Sequence, residues 1–417
     1  MSTNDPSGGV SIVVADPGSQ APARALPAKV VDNDKLAKTK PERVVPADAI
    51  IPDRGWPKIR YAVNSFFRRP DLVPAINAEQ RAELHHKART AYEQALVGRL
   101  IHLASLGVQP VICVANVKSS GKSSTALGMG TVIAEYTRKM TILIPSTANT
   151  ATVTVGRMAG ITGNMLPIDE YLTHVRMYGT FRTLERRLPR TKWGLGVIVE
   201  SNNSSANDAD DALIVPYMEA IDVTLPNVSA LILDLGNDNI SRRSIATQAA
   251  RLSNVLVLPF MEDAPVTHVS LKDTIKFYNT DDGIPEDVWH ELYSNFRNKE
   301  ATGITVPTRE KVNRSILVAT KAGGKVDFDH FARSSDQGVN SADLKPWNGT
   351  GICVPSDASI GRKDAAGELM PFDFDAIGQE TKISYLELAV ASYELVGAQT
   401  GTEIGEPMVA NLPRKAH

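Results

Sequence analysis

Residues 111–125 of the chain, VICVANVKSSGKSST, decide the fold that the sequence predicts. The apolar run from Val111 to Ala115 predicts a buried β-strand, and the small polar residues after it predict a loop. A helical pattern follows over 125–138, so the order is strand, loop, helix. In such an arrangement the backbone N–H groups of the loop and the N-terminus of the helix surround an anion, which is how P-loops hold phosphate.

Part of this loop matches the phosphate-binding pattern G-x-x-x-x-G-K-[ST]. Gly121, Lys122 and Ser123 fit the pattern, whereas Asn116 occupies the position of its first glycine. In P-loops the lysine reaches the β- and γ-phosphates of a nucleotide and the serine hydroxyl binds Mg²⁺, and we predict these roles here. The alternative is an ordinary strand-to-helix turn rich in small residues. The loop residues assigned to nucleotide binding are Ser119, Ser120, Gly121, Lys122, Ser123 and Ser124.

The composition is that of an ordinary soluble globular protein. The 417 residues include 42% hydrophobic and 22% charged residues, and the formal net charge of −2 gives no overall attraction to nucleic acid or to acidic membrane surfaces. Cys113 and Cys353 both lie in apolar strand-like runs and are predicted to be reduced core residues. No apolar run reaches the roughly 18 residues of a membrane span, and no secretory signal is visible. We therefore expect a cytoplasmic protein.

Apolar strands and helices alternate through the middle of the chain. This alternation predicts a doubly wound, mostly parallel α/β sheet flanked by helices, and together with the strand, loop and helix at 111–138 it fits the P-loop NTPase fold. Ligands of such sheets bind at the carboxyl ends of the strands, where the loops 116–124, 145–150 and 235–240 are expected. The predicted strands are 111–117, 140–144, 194–200, 230–234, 255–260, 315–320 and 351–355. The predicted helices between them are 125–138, 150–160, 180–188, 209–221, 241–252, 264–278, 285–298 and 327–335.

Changes in composition along the chain predict that it is divided into four segments. Residues 1–53 contain few large apolar side chains and are predicted to be a disordered N-terminal tail. Residues 54–107 form a helical preamble whose helix, 78–106, is expected to pack on the following domain. Residues 108–397 form the α/β domain, which ends in a helix over 384–396, and residues 398–417 are predicted to be a C-terminal tail.

Asp234 ends an apolar strand and is the second feature that points to chemistry. An acidic residue at this position in a P-loop NTPase holds a water molecule of Mg²⁺. Gly236, two residues later, would let the following loop approach the γ-phosphate and move with it. The alternative for Asp234 is a helix N-cap or a turn residue.

Other polar stretches carry weaker signals. The loop 145–151 has no carboxylate that would orient an attacking water molecule, and its Ser146 and Asn149 offer only weaker hydrogen bonds. The basic residues between 182 and 192 are candidates for contact with a DNA backbone or an acidic partner, although a solvated helix end is the simpler explanation.

Together these residues resemble the ParA/MinD family of deviant Walker A ATPases, which are SIMIBI P-loop NTPases. The form is similar to actinobacterial members linked to plasmid partition or type VII secretion. The resemblance extends over about residues 54–396. It is carried by the loop 115–124, the turn 148–152, the stretch 234–236 with the strand 255–259, and the turn 354–357.

The resemblance implies ATP and Mg²⁺ as cofactors and an ATP-dependent homodimer. It places Pro355 and Asp357 near the nucleotide base and gives catalytic roles to Lys118 and Asp234. Val117 occupies the position of the family's signature lysine, and Lys118 follows one residue later. Lys118 would then reach across the dimer to the nucleotide of the partner.

The implied function is a nucleotide-dependent switch in plasmid or chromosome partitioning, or in positioning a conjugation or secretion apparatus. Its partner would be a DNA-binding adaptor or a secretion or conjugation component, with non-specific DNA as a further ligand. Hydrolysis is expected to be slow or degenerate, because serines replace the paired glycines of the loop. The alternative is an inactive pseudo-ATPase that serves as an interaction scaffold.

Overall fold

The computed structural model describes most of the chain from residue 78 onward. The predicted tail 1–53 and most of the predicted helices 180–188 and 327–335 lie outside the described residues. The described ranges are 78–116, 120–145, 151–161, 166–178, 187–199, 209–235, 244–261, 264–280, 283–323, 326, 328, 349–365 and 369–412.

The described strands form one sheet in which all neighbours run parallel, in the order β3-β2-β4-β1-β5-β6-β7. All seven predicted strands are present, which confirms the parallel sheet. The third and first are shorter than predicted, since β3 has only two paired residues and β1 ends three residues early. The strands are β1 Val111–Val114, β2 Thr141–Pro145, β3 Gly196–Val197, β4 Ala230–Asp234, β5 Val255–Met261, β6 Ile316–Ala322 and β7 Thr350–Pro355.

Helices connect these strands. Two of them, over 168–178 and 308–312, were not predicted, and the second has only five residues, too few to show a helical period. The helices are α1 Ala78–Ser105, α2 Lys122–Thr137, α3 Ala151–Met158, α4 Ile168–Tyr178, α5 Ala209–Thr224, α6 Ile245–Leu252, α7 Pro265–Asn279, α8 Glu286–Val288 with a π-helical continuation Trp289–Tyr293, α9 Thr308–Val312 and α10 Gln379–Gln399.

Alternate residues of β1 enter two separate apolar cores, one on each side of the sheet. Ile112 and Val114 pack with residues of α1, α2 and α10. Val111 and Cys113 pack with residues of α4 to α7. Since side chains of a strand alternate between its faces, this arrangement covers both sides of the sheet with helices and confirms the doubly wound fold. Cys113 and Cys353 are buried and unbridged, as predicted.

The helix α10 is longer and more deeply buried than the predicted 384–396. It begins at Gln379 and is enclosed on all sides along most of its length. Its two buried carboxylates are paired, since Glu387 accepts a hydrogen bond from the Tyr92 hydroxyl at 2.7 Å and Glu394 accepts one from the Arg99 guanidinium at 2.9 Å. The described part of the preamble therefore packs on the α/β domain through α10, as expected.

The chain after α10 also packs against this helix. The Glu394 carboxylate accepts hydrogen bonds from the backbone N–H groups of Met408, Val409 and Ala410 at 2.6 to 2.9 Å. Three backbone donors and one guanidinium satisfy this buried carboxylate, which would be very costly without them. The predicted C-terminal tail 398–417 thus includes residues 408–410, which contact α10 through these hydrogen bonds. The division of the chain into domains otherwise remains a prediction.

No described helix combines the length and the apolar character that crossing a membrane would require.

Candidate functional site

The loop after β1 starts at the centre of the sheet. Val114, the last residue of β1, is paired with Asp234 of β4 on one side and with Val257 of β5 on the other. The Ala115 N–H continues this pairing with a 3.0 Å hydrogen bond to the Val257 carbonyl. The loop therefore leaves the carboxyl edge of the sheet between two flanking strands, which is where parallel α/β sheets bind ligands.

Gly121 makes the sharp entry into α2. Its φ of 86° and ψ of 15° are left-handed, and its carbonyl accepts the first helical hydrogen bond from Thr125 at 2.9 Å. A Cβ atom at this position would lie 2.9 Å from Cγ2 of Thr320 in β6. Both the backbone angle and the close neighbour therefore require glycine. The consequence is that α2 begins at Lys122, three residues before the predicted start.

Asn116 braces the start of the loop. Its side-chain amide is buried and donates a hydrogen bond of 2.5 Å to the Pro259 carbonyl in β5. The phosphate-binding pattern has glycine at this position. In the structure the Asn116 side chain instead connects the loop to β5 through this hydrogen bond. The residues between Asn116 and Ser120 lie outside the described part of the chain, including Lys118 and Ser119.

Asp234 is buried at the end of β4, beside the first turn of α2. Its carboxylate is hydrogen-bonded to the side chain of Ser123, and Lys122 contributes a nearby positive charge. Oδ1 of Asp234 is buried and accepts no hydrogen bond from any described residue. Burial raises the pKa of Asp234 to about 6, and the Ser123 hydrogen bond and the Lys122 charge only partly offset this rise.

A buried carboxylate oxygen that accepts no hydrogen bond from the described residues is available to a water molecule or an ion. The chemistry of this corner fits a hydrated divalent cation, since a hydroxyl and a carboxylate oxygen are hard ligands. Within the described ranges, no group of three or more His, Cys, Asp or Glu side chains is arranged to hold a metal ion by itself.

The structure brings together six of the predicted site residues and separates two others. Gly236 and the loop 146–150 lie outside the described residues. Pro355 ends β7, three strands away from β1 on the same edge of the sheet, and pairs with Ala322 of β6. The residues that meet around the start of α2 are Ser120, Gly121, Lys122, Ser123, Ser124 and Asp234.

Asp357 holds the turn after β7 to the start of α10. Its Oδ1 accepts hydrogen bonds from the Ser359 N–H at 2.9 Å and hydroxyl at 2.6 Å, and its Oδ2 accepts one from the Gly378 N–H at 2.8 Å. Burial is the largest influence and raises its pKa, but these bonds and one from Thr381 outweigh it and lower the pKa below the ordinary value. Asp357 thus has an evident structural task.

Sequence reasoning missed Thr320. Its hydroxyl oxygen lies 3.0 Å from the Ser120 carbonyl oxygen and 3.0 Å from the Phe260 carbonyl oxygen. The signal was available, because the predicted strand 315–320 ends in this polar residue just as the strand 230–234 ends in Asp234.

Comparison with solved structures gives matches over most of the chain at low identity. Cobyrinic acid a,c-diamide synthase from Mycobacterium smegmatis with bound ADP and magnesium matches with 12% identity and a TM-score of 0.41, over 72% of this chain and 98% of the other. The ParA family ATPase from Chlorobium tepidum TLS matches with 10% identity and a TM-score of 0.42, over 68% and 98%. The ATP complex of a variant of McdA from Cyanothece matches with 12% identity and a TM-score of 0.40, over 70% and 95%.

A ParA family ATPase is thus among the solved structures that this chain matches. No protein-family model matches the chain, and no curated protein matches it. Likeness at such low identity concerns the fold alone, and the residues of the site are assigned from their own geometry.

Proposed function

We propose that this chain is a ParA/MinD-like protein that binds ATP with Mg²⁺ at the loop between β1 and α2. The observation that carries the proposal is the buried Asp234 carboxylate, which is hydrogen-bonded to Ser123 in the first turn of α2 and whose Oδ1 accepts no hydrogen bond from the described part of the chain. A P-loop NTPase needs this pair of groups at this place, because one binds the metal and the other holds a water molecule of the metal.

Each described residue of the site has a distinct task in this proposal. The backbone from Ser120 to Ser124 and the Lys122 ammonium hold the β- and γ-phosphates. The Ser123 hydroxyl binds Mg²⁺, and Asp234 accepts a hydrogen bond from a water molecule of the metal. Bound Mg²⁺ supplies positive charge that neutralises the phosphate oxygens.

The wider role in the cell rests on the sequence resemblance. In the proposed cycle, ATP holds two copies of the chain together, Lys118 reaches the partner's nucleotide, Gly236 follows the γ-phosphate and Pro355 lies near the base. The cycle serves plasmid or chromosome partitioning, or the positioning of a conjugation or secretion apparatus. Its partner is a DNA-binding adaptor or a component of that apparatus.

One observation favours a second candidate, a nucleotide-binding scaffold that does not hydrolyse ATP. The loop after β2, residues 145–151, contains no acidic side chain. Hydrolysis needs a group that orients the attacking water molecule, and a serine or an asparagine does this less well than a carboxylate. The scaffold candidate therefore predicts binding without turnover.

Titration calorimetry with ATP and MgCl₂ tests the proposal. The unmodified chain is expected to bind, and Lys122→Ala is expected to lose binding. Lys276→Ala is the matched control, because Lys276 is an exposed lysine of α7. Unchanged binding by Lys122→Ala would refute the proposed site. Phosphate release by the same preparation then separates a slow ATPase from the scaffold, and light scattering with and without ATP tests the dimer.

A further inference from the structure

The hydroxyl of Thr320 joins three elements of the carboxyl edge. It is buried at the end of β6 and lies 3.0 Å from the carbonyl oxygens of both Ser120 in the loop and Phe260 in β5. A hydroxyl has one proton to donate, so the two carbonyls share it. None of the tasks proposed for the site uses this residue, although it is in direct contact with the loop.

The backbone around Thr320 is irregular in a way that places this hydroxyl. Lys321 has a left-handed φ of 55°, which is uncommon and costly for a residue other than glycine. The pairing of β6 with β7 shifts register between Thr320 and Ala322, as in a β-bulge. Bulges change the direction of neighbouring side chains, often beside functional sites. Lys321 itself is exposed, so its own packing does not account for the strain.

The contact with Ser120 sets the orientation of one peptide group of the loop. In a trans peptide the carbonyl of one residue and the N–H of the next point in opposite directions. Because the Ser120 carbonyl points toward Thr320 in β6, the N–H of Gly121 points away from β6. A loop that binds phosphate needs its N–H groups toward the anion and its carbonyl oxygens turned outward, since a carbonyl oxygen would repel the phosphate.

We infer that Thr320 is a positioning residue for nucleotide binding, which acts by holding the Ser120–Gly121 peptide in its phosphate-binding orientation. This inference rests on the proposed function. It also gives a physical reason why the loop tolerates serine at 120, where the resembling family has glycine. Glycines reach the required backbone angles freely, whereas here a hydrogen bond from outside the loop selects the orientation.

Three variants test the inference by calorimetry with ATP and MgCl₂ and by thermal unfolding. Thr320→Val removes the hydroxyl and keeps the shape, and it is expected to weaken ATP binding by about tenfold. Thr320→Ser keeps the hydroxyl and is expected to bind ATP with an affinity within about threefold of that of the unmodified chain. Thr350→Val is the matched control, because the buried Thr350 hydroxyl accepts a 3.0 Å hydrogen bond from the Asn411 N–H at the opposite end of the sheet.

The Thr350→Val control distinguishes an effect on the orientation of the loop from a general loss of stability. Thr350→Val is expected to lower the unfolding temperature without changing ATP affinity. The inference is overturned if Thr320→Val binds ATP as tightly as the unmodified chain while Lys122→Ala does not bind. If the unmodified chain does not bind ATP, the proposed function is refuted, and the role inferred for Thr320 is refuted with it. Should Thr320→Val not fold, Thr320→Ala against Thr320→Ser gives the same comparison of hydroxyl lost and hydroxyl kept.

Discussion

Ser123 and Asp234 share a hydrogen bond that connects the first turn of α2 to the end of β4. The bond satisfies only part of the carboxylate, because Oδ1 of Asp234 is buried and accepts none from the described residues. The folded chain thus keeps a carboxylate whose ionised form is poorly stabilised until a cation approaches. Functional sites commonly retain groups that lower the stability of the fold. The loss of unfolding free energy that the buried Asp234 causes can therefore be predicted and measured.

The first prediction concerns stability and pH. The folded pKa of Asp234 is about 6, above the ordinary value of 3.8. Ionisation therefore opposes folding fully above pH 6, partly between the two values, and not at all below the lower one. Asp234→Asn is expected to be more stable than the unmodified chain by up to about 3 kcal/mol near neutral pH, with the difference vanishing toward pH 4.

Urea unfolding at a series of pH values measures this difference. Asp273→Asn, an exposed change on α7, is the control and is expected to give a small difference at every pH. A stability difference for Asp234→Asn that stays constant across the pH range would show that the carboxylate is not strained by burial.

The second prediction concerns protons released on binding. At pH 6 a large fraction of Asp234 is protonated in the free chain, since its pKa is about 6. Binding of ATP with Mg²⁺ favours the ionised carboxylate, so a proton leaves. Calorimetry in two buffers with different ionisation enthalpies detects that proton. Asp234→Asn is expected to remove this contribution and leave only the proton exchange of ATP itself. Equal proton release by both chains would place the metal away from Asp234.

A side chain at Gly121 would lower the stability of the fold in two ways, through backbone strain and through a steric clash. Gly121→Ala meets both a left-handed φ of 86° and the nearby Thr320 methyl group. Gly107→Ala is the matched control, with a φ of 79° and open space around the added methyl group. The control is expected to lose about 1 kcal/mol of unfolding free energy and Gly121→Ala about 2 to 3 kcal/mol.

A double-mutant cycle with Thr320→Ser identifies the contact, because this change removes Cγ2, the atom closest to the added methyl group. The extra cost of Gly121→Ala is expected to shrink in the Thr320→Ser background. Strict additivity of the two changes in chemical denaturation would contradict a direct contact between these positions.

The fourth prediction concerns Asp357, whose carboxylate holds Ser359 and the Gly378 N–H at the start of α10. Its pKa is lowered, so the ionised form stabilises the fold above its ordinary pKa and that contribution is lost as the pH falls through the folded value. Asp357→Asn is therefore expected to lower the unfolding temperature at neutral pH and to approach the unmodified chain in acid.

The same variant tests the role beside the nucleotide base that the family resemblance implies. Calorimetry with ATP is expected to give an affinity within about threefold of the unmodified chain, because the described contacts already use both carboxylate oxygens. A loss of affinity in a variant of unchanged stability would instead support the contact with the base.

Local patterns predicted the sheet and part of the site. Each strand is a near-continuous apolar run, because strands covered on both faces need apolar residues at every position. Gly121 and Asp234 were predictable because each is defined by its immediate neighbours, one by the turn into a helix and the other by the end of a strand. Helix α4 was missed although its apolar residues at 168, 171, 172 and 175 follow the helical period, so the signal for it was present in the sequence.

Contacts between distant segments escaped prediction for a different reason. Asn116 reaches a strand 143 residues away and Thr320 reaches a loop 200 residues away. Both contacts exist because β5 lies next to β1 and β6 lies next to β5, and that order comes from how the crossover connections pack.

The sequence by itself determined that an apolar strand, a small-residue loop and a helix follow one another and form a corner, and that an acidic residue ends another apolar strand. Runs of apolar and polar residues can be identified from the sequence alone, because each run is defined by neighbouring residues. Only the tertiary structure decided what fastens that corner, since the hydrogen bonds of Asn116, Thr320 and Asp357 depend on which strands and helices become neighbours in space.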